Sequence, residues 1–350
     1  MNLTDRKKEI LKEVIARFIE SAEPVSSQNI VENTELGLSS ATIRKEMAEL
    51  EKLGYLTHPH TSAGRIPSDM GYRFFVDAFI KEEALPAAPD HKGMPEIAID
   101  INREMEIDSI LKKSSEQLAK ITSYLSMIVA PAVYQSKFRH LELLEINRGN
   151  LLLVLITDTG RVFKRNFIID ATYNSLDFQG ISNIINSQFR GKSIADMDFK
   201  KVKVTEGDSS LIPLLKKIID AIKSCAEEAF LYNRIFVHGT SSILNQPDFI
   251  DVKKIQRILQ IIENEYLLAD LLLSITEKEE VIIKIGAEIF EEGPDDLSLV
   301  ASRYKIYEHS TGMIGVLGPK RMDYCRVINI ISAFTENLRD IFKLNNYILR

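Results

Sequence analysis

Residues 38–67 decide the fold: Leu38-Ser-Ser-Ala-Thr-Ile-Arg-Lys-Glu-Met-Ala-Glu-Leu-Glu-Lys-Leu-Gly-Tyr-Leu-Thr-His-Pro-His-Thr-Ser-Ala-Gly-Arg-Ile-Pro67. The stretch reads as an amphipathic helix, a glycine stop and a small hairpin. Ile43, Met47, Leu50 and Leu53 recur at helical spacing and define one apolar face. Ser39 suits the N-cap, because its hydroxyl can accept a first-turn N–H. Gly54 suits the C′ position, where a left-handed backbone costs glycine little. The other face begins with Ser40, Thr42, Arg44 and Lys45. Hydroxyls at a helix N-terminus can meet phosphate, and Arg or Lys can reach guanine O6 and N7 in a major groove. Taken alone, the same face would also serve as an ordinary solvated surface, so its neighbours decide.

Upstream, Thr4 can cap a helix over residues 5–20 carrying Ile10, Leu11, Val14, Ile15, Phe18 and Ile19. Glu23-Pro24 breaks it. Ser26 or Ser27 opens a second, short helix with Ile30 and Val31. Downstream, residues 55–57 and 65–66 read as two short strands around a loop of Pro59, His60, Thr61, Ser62, Ala63 and Gly64. Three helices followed at once by such a hairpin predict a winged helix-turn-helix. The candidate DNA contacts are Ser39, Ser40, Thr42, Arg44 and Lys45 on the helix, and His60, Thr61, Ser62 and Arg65 on the hairpin. Arg65, at the hairpin base, suits a phosphate contact or a salt bridge equally. Gly64 is expected to hold a backbone conformation that another residue would strain. His58 and His60 flank Pro59 without a third ligand nearby, so surface or wing histidines fit better than a metal site.

Charge constrains this reading. The 350-residue chain carries 44 Lys+Arg against 50 Asp+Glu, a net charge of −6. Residues 1–80 hold ten Lys+Arg and twelve Asp+Glu, or −2. Any DNA contact must therefore rest on locally placed cations with the acids turned away. Cys225 and Cys325 form no metal spacing and no disulfide framework, as expected in a reducing compartment. The N-terminus lacks an apolar signal region, and the longest apolar runs are too short to span a bilayer. A cytoplasmic location without membrane contact is expected.

The length calls for two or three domains. Residues 1–84 form the expected DNA-binding unit, ending in an aromatic helix with Tyr72, Phe74, Phe75 and Phe79. Residues 85–98, rich in proline, form a linker. Residues 99–350 form an α+β domain. Its expected elements are a helix over 99–127, strands over 141–146, 151–157 and 162–169, and helices over 175–188 and 210–230. A strand over 235–237, helices over 252–264 and 265–274, and strands over 281–285, 297–307 and 312–317 follow, then a helix over 323–342. No phosphate-binding glycine loop, nucleophile elbow or His-Glu-x-x-His motif occurs. No enzyme and no cofactor is expected.

Several motifs, taken together, resemble the HrcA family of bacterial heat-inducible transcription repressors. They are Leu3-Thr-Asp-Arg6, Glu23-Pro-Val-Ser-Ser27, Ser40-Ala-Thr-Ile-Arg44, Leu53-Gly54 and His60-Thr-Ser-Ala-Gly-Arg-Ile-Pro67. Tyr72-Arg-Phe74, Thr157-Asp-Thr-Gly-Arg161, Leu244-Asn-Gln-Pro247 and Gly315-Val-Leu-Gly-Pro-Lys-Arg-Met-Asp-Tyr324 complete the set. The family often has Pro where Ser40 stands and Asn where Lys45 stands. The resemblance implies a GAF-like α+β domain with an inserted segment, within 165–235, that dimerises the protein. It also implies a homodimer on double-stranded DNA at an inverted-repeat operator of chaperone genes, with the chaperonin GroEL as a partner. A winged-helix regulator controlled by a small molecule is the alternative, its pocket near residues 239–249 or 312–319.

Overall fold

The computed structural model describes residues 3–34, 36–59, 64–80, 107–131, 137–158, 162–169, 173, 176–198, 200, 202, 211–232, 235–274, 281–290, 294–307 and 310–346. His60, Thr61 and Ser62 and the expected linker at 85–98 lie outside them.

The N-terminal unit, the head, contains α1 (Asp5–Ser21), α2 (Ser27–Asn33) and α3 (Ser40–Lys52), then β1 (Leu56–Thr57), β2 (Ile66–Pro67) and α4 (Asp69–Phe75). A π-helical turn, Val76–Ile80, continues α4. Ile10, Leu11, Val14 and Ile15 of α1 are buried together with Ile30 of α2 and Ile43, Met47 and Leu50 of α3. The apolar period of each helix thus points to one small core. Strands β1 and β2 pair antiparallel, and an isolated bridge joins Val25 to Arg65. Gly54 has φ +84°, the left-handed stop expected of it. Gly64 is required for a different reason from the one expected. A Cβ there would stand 2.5 Å from the Val25 carbonyl oxygen, so close backbone approach excludes a side chain.

The body is a five-stranded antiparallel sheet in the order β7-β3-β10-β9-β8. Its strands are β3 (Leu125–Val129), β7 (Ile235–His238), β8 (Val281–Ile285), β9 (Leu297–Tyr307) and β10 (Ser310–Pro319). Helices α5 (Ile107–Thr122) and α11 (Tyr324–Asn346) cover one face; α9 (Val252–Glu263) and α10 (Glu265–Leu273) cover the other, beside the short α8 (Thr240–Leu244). Strand β3 shows why both faces need cover. Leu125, Met127 and Val129 belong to the α9–α10 core, while Ile128 belongs to the α5–α11 core.

This strand corrects the expected helix over 99–127. Of that range, residues 99–106 lie outside the described residues, and the helix ends at Thr122. Thr122 turns its hydroxyl back to the Leu118 carbonyl (2.7 Å), and Ser123 takes φ +59°. Residues 125–129 are buried at every position, so their apolar run has no period to tell strand from helix. The strands expected over 281–285, 297–307 and 312–317 are present, the last extended to Ser310–Pro319.

A second sheet, in the order β4-β5-β6, is built from β4 (Phe138–Asn147), β5 (Asn150–Thr157) and β6 (Val162–Ile168). Helices α6 (Phe178–Phe189) and α7 (Ile212–Tyr232) accompany it. Its core runs from Phe138 to Ile222 and shares no buried residue with the cores of the body. The expected insert boundary at 165 falls inside β6; the separate core begins at Phe138.

Leu153, fully buried in this separate core, offers a test of its independence. Leu153→Ala should cost about 2–5 kcal/mol of local stability. Hydrogen exchange should rise across residues 138–189 while protection of β9 and β10 is kept; equal losses in both sheets would mean one cooperative core.

Candidate nucleic-acid interface

Five sequence-predicted residues, Ser39, Ser40, Thr42, Arg44 and Lys45, lie at the N-terminal end of α3. Ser39 is the N-cap, and its hydroxyl accepts the Thr42 N–H (3.2 Å) and shares a hydrogen bond with the Thr42 hydroxyl (2.9 Å). Ser40 Oγ and Ser27 Oγ are 2.9 Å apart and hydrogen-bonded, which ties the start of α3 to the start of α2. Both helices thus present their N-termini at one place, where unpaired N–H groups and the helix dipole favour an anion. Arg44 and Lys45 follow on the exposed side. No hydrogen bond or ion pair among the described residues engages either side chain, so both cations project to solvent, Lys45 with only the distant field of Glu49.

The acids of α3 are committed elsewhere. Lys7 of α1 meets Glu49 at 2.8 Å and Glu46 at 3.4 Å, and Arg6 meets Glu46 at 3.6 Å. The hydrogen bond and charge of Lys7 hold the Glu49 carboxyl below the usual carboxylate range, and Glu49 in turn raises Lys7. Glu51, two residues further on, takes the Arg65 Nε–H at 2.7 Å and also pairs with His58 Nδ1. Arg65 stands in a salt bridge in the structure. That bond holds the hairpin to α3, and the Val25–Arg65 bridge holds it to the segment before α2.

A net charge of −2 is therefore unevenly spread, with the anions of α3 turned inward or sideways and its first two cations outward. Sequence reading missed Ser27, Lys7 and Glu51 as supports of this face. Nothing local marks them, because their partners lie 13, 39 to 42 and 7 to 14 positions away. Among the described residues, no group of three or more His, Cys, Asp or Glu side chains could hold a metal ion. No helix among the described residues is long and apolar enough to cross a membrane.

Near the positions expected for a ligand pocket, two glycines are closely approached. A Cβ at Gly239, where φ is +93°, would run into the Tyr124 carbonyl, and one at Gly312 would enter the Tyr304 ring. A surface cavity of about 570 Å³ lies between α9, α10 and the segment after β8, lined by Arg257, Gln260, Ile261, Asn264, Leu267 and Phe290.

Comparison with known proteins agrees with the fold. Residues 108–328 match the description "HrcA protein C terminal domain". A heat-inducible transcription repressor HrcA of Pelotomaculum thermopropionicum is 32% identical over 346 residues, covering 98% of each chain. One of Ruminiclostridium cellulolyticum is 37% identical over 351 residues, covering 98% of this chain and 99% of its own. A crystal structure described as that of a hypothetical protein superposes with a TM-score of 0.64 at 23% identity, covering 98% of this chain and all of the other.

Two outcomes test the local architecture. Ser39→Ala should destabilise the head by about 1 kcal/mol, the usual worth of an N-cap hydroxyl; an unchanged melting profile would show the cap to be idle. The Glu49–Lys7 pair gives a sign for acid. The folded-state value of Glu49 is depressed, so its contribution is present above the unfolded carboxylate value and is lost as pH falls through the folded one. Glu49→Gln should flatten the acid limb of a stability–pH curve, and an identical limb would contradict the pairing.

Proposed function

The chain belongs to the HrcA family, and from that premise we propose that it represses chaperone-gene transcription. It binds an inverted-repeat operator as a homodimer and is released on heat stress. The observation that carries the reading is the sorting of charge on α3. Glu46, Glu49 and Glu51 are paired, while Arg44 and Lys45 stand free beside a capped helix N-terminus. Three helices and a hairpin in this order support a winged helix. The α3 residues Ser39, Ser40, Thr42, Arg44 and Lys45 enter the major groove, and the hairpin with His60, Thr61, Ser62 and Arg65 lies along the backbone. Arg65 then works from its bond to Glu51, holding the hairpin at the height of the groove.

The five-stranded sheet with helices on both faces supports the GAF-like reading of the body. The separate unit from Phe138 to Tyr232 is the inserted dimerising segment. Its sheet has an outer face that its own helices leave open. On it Leu152 of β5 stands opposite Leu144 of β4, Ile156 opposite Val162 of β6, and Val154 between Glu142 and Lys164, with Ile168 on the same side. Ile168 is 75% exposed and Leu144 47%, apolar side chains set among charged ones that a second copy would cover. The chaperonin GroEL, implied by the family, fits a protein whose monomer shows such a face. No chemistry is required of the body, and its role in repression is to hold two heads at a fixed spacing in the cytoplasm.

One observation favours a second reading, control by a small molecule. The cavity at Arg257 joins a cation and two amides to an apolar floor, which suits a small carboxylate. Operator binding measured with and without such acids separates the two.

Arg44→Ala should weaken operator binding by about 1–3 kcal/mol and relax preference at one base pair. Loss of stability with unchanged affinity per folded dimer would make Arg44 structural. Leu152→Asp should give a monomer in sedimentation and weaken operator binding about 10²-fold, since the second half-site contact stops being intramolecular. A Leu152→Asp dimer would move the interface elsewhere.

A further inference from the structure

Three family-like motifs play no part in the reading face, namely Tyr72-Arg73, Leu244-Asn-Gln-Pro247 and the run ending Lys320-Arg321-Met322-Asp323-Tyr324. The fold brings all three to one place, the contact between head and body. Arg73 of α4 donates from Nε to Glu288 Oε1 (2.9 Å) and from Nη2 to the Ile283 carbonyl (2.7 Å) and to Glu288 Oε2. Ile283 belongs to β8, the edge strand of the sheet, so Arg73 satisfies an edge carbonyl. In the opposite sense, Lys320 of the body pairs with Asp69 at the start of α4. Between them Tyr72 and Tyr324 lie with ring centroids 6.3 Å apart, both fully buried.

Arg321 completes the contact. Its Nε–H faces both carboxylate oxygens of Asp248 (2.8 and 3.1 Å), a partner within the body that fixes the guanidinium in advance. Its Nη1 then donates to the Ile19 carbonyl at 3.3 Å. That carbonyl is in the last turn of α1, a helix with no basic residue of its own in that turn. The body thus supplies the cation that the head's longest helix lacks at its negative end. Gly286 marks how close the two units come, since a Cβ there would strike the Asp69 carboxylate.

We propose that Asp69, Arg73, Asp248, Glu288, Lys320 and Arg321 form a charged lock that fixes the orientation of the head on the body. Arg73 and Arg321 are positioning residues for operator binding, although neither lies on the reading face. The proposal rests on the DNA-binding reading and extends it. Two crossed ion pairs define orientation as well as proximity, because one cation comes from each side and sliding breaks both. Apolar burial at the same junction supplies contact area without such direction. A dimer with fixed heads meets two half-sites with little further ordering; unlocked heads must be ordered on binding and lose that advantage.

The test uses the full chain with three variants, Arg73→Glu, Glu288→Arg and the double exchange. Each is compared on an inverted-repeat duplex and on a single half-site duplex. Arg73→Glu should weaken the inverted repeat at least tenfold while half-site binding changes less than threefold, and the double exchange should recover most of the loss. Equal loss on both duplexes, or no loss on either, overturns the lock. A second readout does not use DNA. A protease site placed within residues 88–92 allows the joining segment to be cut, and gel filtration then shows whether the head stays on the body. The denaturant concentration that releases the cut head should be highest in the unmodified chain, lower in Arg73→Glu and recovered in the double exchange. An unchanged release midpoint in Arg73→Glu overturns the lock. Should the unmodified chain show no preference for the inverted repeat, the DNA reading fails, and head retention alone still decides the lock.

Discussion

The body sheet must be covered on both faces, and the rest of the structure follows from that constraint. Strands β3, β9 and β10 carry apolar side chains in both directions. Exposed, either face would leave a large apolar surface in water. On one side α9 and α10 supply the cover. On the other, α5 and α11 do, and the apolar layer continues without a break into α4 and the helices of the head. The head is therefore part of the layer that completes the body, with Tyr72, Phe75 and Val76 buried in the same cluster as Tyr324, Val327 and Ile331.

That continuity explains the polar contacts at the junction. Burying side chains of α4 against the body also brings Asp69 and Arg73 to its edge, where isolated charges would be costly. Lys320 and Glu288 answer them one for one. Tyr324, fully buried, bonds through its hydroxyl to Ser298 and to the Lys320 carbonyl, and burial holds its phenol protonated well above the ordinary value. Such pairs add modestly to stability at partial exposure, and their larger effect is to choose one docking geometry among those an apolar surface would accept.

The same economy of charge operates on the proposed reading face. A head with net charge −2 can meet a polyanion only if its anions are removed from the approach. Lys7 and Arg6 on α1 and Arg65 on the hairpin do this for α3. A mutation in any of them would release an acid onto the face proposed to meet DNA. The separate three-stranded unit obeys a different rule. Its own helices fill one face of its sheet, and its other face keeps exposed Leu144 and Ile168, so it is complete as a folded unit and incomplete as a surface.

The sequence by itself determined whatever depends on neighbours a few positions apart. Period located α1 to α4 and the long C-terminal helix, with serine caps at α2 and α3 though not the hydroxyl cap expected of Thr4, and alternation with turn glycines located β4 to β6 and β8 to β10. The serine cap and exposed cations of α3 were legible for that reason, as was the left-handed stop at Gly54. What only the tertiary structure decided involves partners far apart. Strand β3 was hidden because a run buried on both faces has no period. The true reason for Gly64, the pairing of Glu46 and Glu49 with α1, and the start of the separate core at Phe138 all depend on packing between distant segments. So does the meeting of Arg73 with Glu288 and of Arg321 with Ile19, contacts across 215 and 302 positions that no local pattern encodes.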